Sequence, residues 1–258
     1  MEVHHHPIAT GLHAERKRLK HYLFEFFMLF LAVFCGFLAE NQREHIVDNQ
    51  REKKYAASLL DDLKKDTADL SNDIPFWKTL LNTIDTLRTE IQKPADQRND
   101  LLLYKCARFM RFYNNFAYHD RTIDQLKNAG NFRLIRNARI SDLLIDYDAT
   151  IRSELHDQEM QSNAIWQNLN FLQDHLFNSA FYNLYTYNDT KQLDSAARSK
   201  SILEMLRIRK GKDDDLFEYF NHLEYYHQIN KYRYHTNQNL LYRADTLIDL
   251  IQKKYDLK

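Results

Sequence analysis

The sequence predicts an all-α protein in which a single N-terminal transmembrane helix continues into an elongated helical bundle. Three observations carry that reading. Glycine and proline, on which tight turns, barrels and phosphate-binding loops depend, occur only 4 and 3 times in 258 residues, against roughly 18 and 13 at average usage. Apolar residues recur at helical spacing along most of the chain. One stretch near the N-terminus is apolar almost without interruption. With 44% apolar and 28% charged residues, 16 Phe and 16 Tyr, the composition is that of a folding chain and not of a disordered one.

Three regions follow: a short basic, histidine-containing tail over 1–21, a transmembrane helix over 22–39, and an extramembrane helical bundle over 40–258. From Phe26 to Ala39 no side chain is more polar than a thiol, and extension back to Tyr22 gives 18 residues with one charge, Glu25. A spanning helix needs about 17–25 residues, so the segment is long enough. The cluster Arg16, Lys17, Arg18, Lys20 before it also suits a cleaved signal peptide, but cutting after Ala39 would put Phe37 where a small residue belongs. Phe34 before Cys35 spoils a lipoprotein site, and Glu40-Asn41-Gln42-Arg43 continues the helix. A retained anchor is the favoured reading.

Orientation rests on basic residues flanking the span. Arg16, Lys17, Arg18 and Lys20 on one side balance Arg43, Arg51, Lys53 and Lys54 on the other. The N-terminal cluster lies directly against the span, whereas the far side opens with Glu40 and mixes its bases with acids. This places the N-terminus in the cytoplasm and the bulk of the chain in the periplasm. Within the span, Ala32, Gly36 and Ala39 share one face, a pattern that allows close helix approach. Just beyond it, Glu40, Glu44, Asp48 and Glu52 form an i, i+4 acidic stripe. Each like-charge pair costs a helix roughly 0.2–0.5 kcal/mol. Arg43 and Arg51 offset part of that, and the remainder is expected from an arginine-rich segment or a partner subunit.

Helical spacing resumes at Tyr55, Leu59, Leu63, Leu70 and Ile74; an unbroken helix from Tyr22 to Asp73 would be about 78 Å long. Asp73 and Pro75 read as the start of a second helix carrying Trp77, Leu80, Leu81, Ile84, Leu87 and Ile91 inward, with Pro94 as its end. A third helix is expected over 97–116. Thr122 to Ala129 makes a short helix stopped at Gly130 as a left-handed cap, followed by a brief turn over Phe132–Ile135. From Ile140 to Leu176 one long or bent helix is expected. Loops fall at 188–190 and 209–213, and Asp213-Asp214-Asp215 caps a final helix through Phe217, Phe220, Leu223, Ile229, Leu240, Leu247 and Ile251.

Little in the sequence carries chemistry. Lys+Arg and Asp+Glu are both 36, so no global field favours nucleic acid. Residues 104–139 are locally basic and rich in aromatics, a combination that suits single-stranded nucleic acid, but acidic partners such as Asp142, Asp146 and Asp148 are at hand in the chain. Nucleic acid is therefore not an expected partner, and Arg133 and Arg136 are assigned to intramolecular charge matching. Cys35 and Cys106 form no zinc or redox motif. His4-His5-His6 could take a divalent cation, but they read as incidental tail residues; Glu224-x-x-His227 is a lone motif where di-iron bundles need two. No HExxH, GxSxG or phosphate-loop pattern occurs. No catalytic residue, cofactor or metal site is assigned.

The opening Met1-Glu2-Val3-His4-His5-His6-Pro7, the block Tyr22 to Val33, and Arg51-Glu52-Lys53-Lys54-Tyr55 resemble a Bacteroidota family of single-span membrane proteins with a domain of unknown function. The mid-chain Leu126 to Asn137 and the ending Leu247 to Tyr255 are similar to the same family, so the resemblance covers essentially the full chain. It implies a membrane-anchored domain and transfers no catalytic residue. The expected function is a non-enzymatic structural or interaction protein of the bacterial cell envelope, held in the inner membrane. Its expected partners are membrane lipid and either another protein or a second copy of itself, with Ala32, Gly36, Ala39, Glu40, Glu44, Asp48, Glu52, Arg133 and Arg136 as interaction residues. The alternative is a ligand-binding or sensory helical module that signals across the membrane through its span.

Overall fold

The computed structural model describes residues 12–112, 114, 116–157, 159–160, 163–178, 208 and 213–257, with side chains from His21 onward. Among the described residues every regular element is a helix: α1 (Leu12–Ile91), α2 (Asp100–Phe109), α3 (Arg121–Asn128), a 3-10 turn (Asn131–Leu134), α4 (Ala138–Asp157), α5 (Asn163–Leu176) and α6 (Asp213–Tyr255). The chain divides into two compact units, Met1–Lys54 and Tyr55–Lys258. The expected loop at 188–190 lies outside the described residues.

The largest departure from expectation is at Pro75. Asp73 does not start a new helix; α1 runs through Pro75 to Ile91 as one element of 80 residues. A proline inside a helix removes one backbone hydrogen bond and crowds the carbonyl one turn back. Here Pro75 and Ser71 both lie on the exposed side, where water can reach the freed Ser71 carbonyl. The Thr79 hydroxyl donates to the Pro75 carbonyl at 2.8 Å.

What holds the helix straight through this point is the phase of its buried residues. Ala56, Leu59, Leu63, Asp66, Leu70, Asp73, Trp77, Leu80, Ile84, Leu87 and Ile91 are all buried, and their spacing alternates three and four without a slip. That is the seam of a heptad repeat. The residue in phase is Asp73, not the expected Ile74, which is only partly buried.

Helix α6 carries the same ladder: Leu216, Tyr219, Leu223, Tyr226, Asn230, Arg233, Asn237, Leu240, Ala244, Leu247 and Ile251. Phe217, expected inside, is one step out of phase and 68% exposed. The two ladders run antiparallel. Arg88 Nε donates to Glu224 Oε1 at 2.5 Å, His227 Nε2 lies 3.3 Å from Asp85 Oδ1, and the Arg233 guanidinium sits 4.6 Å from the Trp77 ring. Residue numbers thus rise on one helix as they fall on the other.

Two apolar clusters flank the middle of this seam. One joins Trp77–Ile91 of α1 to α2, α5 and the start of α6; the other joins Ala56–Leu70 to α3, α4 and the end of α6. Helix α2 is shorter than the expected 97–116, opening where the Asn99 side chain accepts from Leu102 N at 3.1 Å. The expected long or bent helix from Ile140 is divided into α4 and α5, with π-helical residues 159–160 between them. Gly130 has φ of 63°, the left-handed conformation that glycine reaches at least cost; it follows the cap residue Ala129 and leads into the 3-10 turn.

Two substitutions test this account. Ile84→Ala, at a fully buried seam position, should cost about 2–5 kcal/mol. Pro75→Ala should stabilise, by up to about 3 kcal/mol, because α1 is continuous there. Denaturant unfolding of the full chain measures both, and a Pro75→Ala variant less stable than the native protein would show that α1 needs the break.

Candidate functional site

Two features stand out: an exposed apolar segment in the first unit, and a cluster of buried carboxylates in the second. In α1 the side chains from Tyr22 to Leu38 include twelve large apolar ones that are 45–74% exposed. The 18-residue apolar window has no buried part. Phe26, Phe30 and Phe34 stack along one face at ring separations of 6.5 and 5.8 Å. An apolar surface of this extent is not left open to water by soluble domains. This one helix is long and apolar enough to cross a membrane.

The small face of that segment is open. Ala32, Gly36 and Ala39 are exposed, and a Cβ added at Gly36 would meet nothing within 4 Å. Along the acidic stripe, Glu40 accepts from Arg43 Nε at 2.9 Å, and Arg51 lies 3.8 Å from Asp48. Glu44 is exposed and Asp48 partly so, whereas Glu52 is buried.

In the second unit, α1 presents three buried carboxylates, Asp62, Asp66 and Asp73, to the segment that joins α2 to α3. The Thr122 backbone N–H donates to Asp62 Oδ2 at 3.1 Å, its hydroxyl donates to the same oxygen, and Arg121 Nη2 donates to Asp62 Oδ1 at 3.2 Å. Asp66 accepts from the His119 backbone N–H at 2.9 Å and from the Tyr147 hydroxyl at 3.0 Å, with His119 Nδ1 also at 3.0 Å. Asn114 donates to Asp73. A fourth carboxylate, Asp148 on α4, accepts from the Tyr118 hydroxyl at 2.9 Å, from Arg152 Nε at 3.0 Å and from Lys127.

The carboxylates differ in how they are balanced. Burial raises Asp66 above the ordinary carboxylate range, and its hydrogen bonds from His119 and Tyr147 pull it only part of the way back. Burial likewise raises Asp73, with nearby Asp69 adding to the effect. Asp148 is pulled up by burial too, but the Lys127 and Tyr118 hydrogen bonds and the Lys127 and Arg152 charges outweigh it, so it lies below the ordinary range. The hydroxyls of Tyr118 and Tyr147 are driven up by burial and by these same carboxylates, which fixes both as donors. The Cys106 thiol is pushed up to about 11, mainly by burial, and so is not a thiolate at neutral pH.

This arrangement fastens one segment of chain to another. Each carboxylate is already occupied by donors from α3, α4 or the connection before α3. Among the described residues no group of three or more His, Cys, Asp and Glu side chains is placed to hold a metal ion; His4, His5 and His6 lie outside them.

The basic stretch 104–139 finds its partners within the second unit: Arg111 with Asp174, Arg121 with Asp62 and Lys127 with Asp148. Arg133 and Arg136 are both exposed. The structure therefore brings together Asp62, Asp66, Tyr118, His119, Thr122, Tyr147 and Asp148, none of which the sequence reading singled out as a group. A signal was present: Asp66 and Asp73 sit at positions where the helical period of their neighbours calls for an apolar residue.

Comparison with known proteins finds no matching family model, no matching curated protein and no matching solved structure.

Asp148→Asn leaves Lys127 and Arg152, both partly open to solvent, beside a neutral partner and should cost about 1–3 kcal/mol near neutral pH. Because the folded pKa of Asp148 lies below its unfolded value, its contribution is present above about pH 3.9 and is lost as pH falls through the folded value. The difference in Tm between native and variant protein should thus be widest near neutrality and close in acid. A gap that stays constant across an acid titration of Tm would refute this charge pairing.

Proposed function

We propose that this chain is a single-span protein of the bacterial inner membrane, with its N-terminus in the cytoplasm and its helical body making structural or protein–protein contacts in the periplasm, without catalysing a reaction. One observation carries the reading: a helix whose large apolar side chains are exposed all round, a surface that lipid accommodates and water does not. Orientation is supported by the basic cluster Arg16, Lys17, Arg18 and Lys20 lying directly against the apolar segment. The resemblance to a Bacteroidota family of anchored proteins agrees with it. The hydrogen bonds that Asp62, Asp66 and Asp148 accept from α3, α4 and the connection before α3 support an architectural role for these polar groups. Partners on this reading are membrane lipid and another protein or a second copy, not nucleic acid.

The sensory reading has one observation in its favour. Helix α1 passes without interruption from the apolar segment into the ladder that pairs with α6.

The untagged full chain should remain in the membrane pellet after an alkaline carbonate wash and be released only by detergent. Reporter fusions should be active as cytoplasmic markers at the N-terminus and as periplasmic markers at the C-terminus. Recovery of the chain in the supernatant without detergent would overturn the anchor; the reverse reporter pattern would overturn the orientation.

A further inference from the structure

The seam between α1 and α6 changes character at its centre. Most of its positions are apolar, but at five of them, interleaved with Leu70, Trp77 and Leu240, α1 places Asp66 and Asp73, which are 1% and 6% exposed, and α6 places Asn230, Arg233 and Asn237. A buried polar layer in a heptad seam costs stability relative to leucine and in return restricts which helix can pair with it and in what register. The question is what this layer excludes.

A second copy of α1 is the competitor its sequence makes most dangerous. Two copies inserted in one membrane hold their α1 helices parallel, and a three-four ladder from Ala56 to Ile91 is a pattern that two parallel helices can share. In such a pair, each seam residue meets its own counterpart, so Asp66 would face Asp66 and Asp73 would face Asp73. Neither pair would have the donors that occupy them now. His119 and Tyr147 on Asp66, and Asn114 on Asp73, come from α4 and the connection before α3, which pack against this face of α1 in the folded chain.

We propose that Asp66 and Asp73 select the partner of this part of α1: they confine its seam face to helices and loops of the same chain and refuse the same face of a second copy. Any association between copies then runs through other surfaces, and the body stays a self-contained fold beside its neighbours. The aspartates work by repulsion in the wrong pairing and by accepting hydrogen bonds from Asn114, His119 and Tyr147 in the right one.

The parallel arrangement rests on the reading of α1 as a spanning helix, which the carbonate wash judges separately. The test of the aspartates uses the full chain in detergent micelles, with Cys35→Ala and Cys106→Ala to remove both native thiols and Ala56→Cys to report on the seam; Ala56 is 1% exposed. Mild oxidation links two copies through position 56 only where α1 meets α1, and the disulfide-linked dimer is read on a non-reducing gel. With Asp66 and Asp73 present, the dimer band should be at background. In Asp66→Leu/Asp73→Leu it should rise at least about tenfold, since like charges in contact cost several kcal/mol and each 1.4 kcal/mol is a factor of ten. Asp66→Asn/Asp73→Asn, which keeps the shape and removes the charge, should rise in the same direction, because asparagine pairs are tolerated in parallel seams. If the leucine variant loses its helical circular dichroism, the asparagine variant decides. A strong dimer band with both aspartates in place, or no increase in a folded neutral variant, overturns the proposal; a chain found in the carbonate supernatant instead overturns the anchor.

Discussion

The antiparallel seam between α1 and α6 is the constraint on which the second unit depends. Among the described residues, the other α-helices pack against one end of that seam or the other: α2 and α5 beside Trp77–Ile91, α3 and α4 beside Ala56–Leu70. The two seam strands are far apart in sequence, so α6 must return across the intervening chain before either ladder is covered. Burial of large side chains such as Trp77, Tyr219 and Tyr226, each worth on the order of 1.5–3 kcal/mol, rewards that closure. The cross-helix contacts Arg88–Glu224, His227–Asp85 and Arg233–Trp77 fix the register in which it happens.

Charge explains why the centre of the unit tolerates so many buried acids. A buried carboxylate needs donors, and the kind of donor decides its state. Asp148, given Lys127 and Arg152, stays ionised with a lowered pKa, and so does Glu90, held by Lys93 and by the Asn99 backbone N–H. Asp66 and Asp73 rely mainly on backbone, hydroxyl and amide donors, with His119 beside Asp66, and burial wins. Glu154 belongs with them: its burial outweighs both the Tyr232 hydrogen bond and the Arg233 charge. These two groups respond to acid with opposite sign. The lowered pair stabilises the fold above its unfolded pKa and loses that as pH falls; the raised trio costs stability at neutral pH and is relieved as pH falls through its folded values.

The fold class, the apolar segment and the start of α6 were legible because each rests on a local rule: glycine and proline scarcity, a run of apolar residues, and an acidic first turn at Asp213–Asp215. The carboxylate cluster was not. Asp66 and Tyr147 are 81 positions apart, and no periodicity within one helix announces such a contact. Pro75 was misread because a proline after an aspartate is a sound start signal, and the evidence against it is distributed over eleven seam positions whose phase must be followed through Asp66 and Asp73. A pattern of apolar residues alone omits Asp66 and takes Asp73 for a cap; counting both as seam members reveals the ladder. Phe217 shows the same lesson in reverse, an aromatic that looks like core until the phase of Leu216 and Tyr219 is counted.

Helix α1 obeys two rules along one continuous backbone. From Ala56 onward, every position of the heptad ladder is buried, with Leu60, Asp62 and Glu90 buried beside it, because in water an apolar side chain out of phase would be left exposed at a cost. From Tyr22 to Leu38, phase is absent and large apolar side chains point in every direction. A helix surrounded by lipid has no apolar face to hide, since the tails are as apolar as leucine, and so nothing selects a period there. The change of rule falls between Ala39 and Ala56, where Glu40, Glu44 and Asp48 are wholly or partly exposed and Glu52 is buried. A fully buried core helix can also be apolar all round, but its side chains are then covered by neighbours, whereas twelve large apolar side chains between Tyr22 and Leu38 are 45–74% exposed.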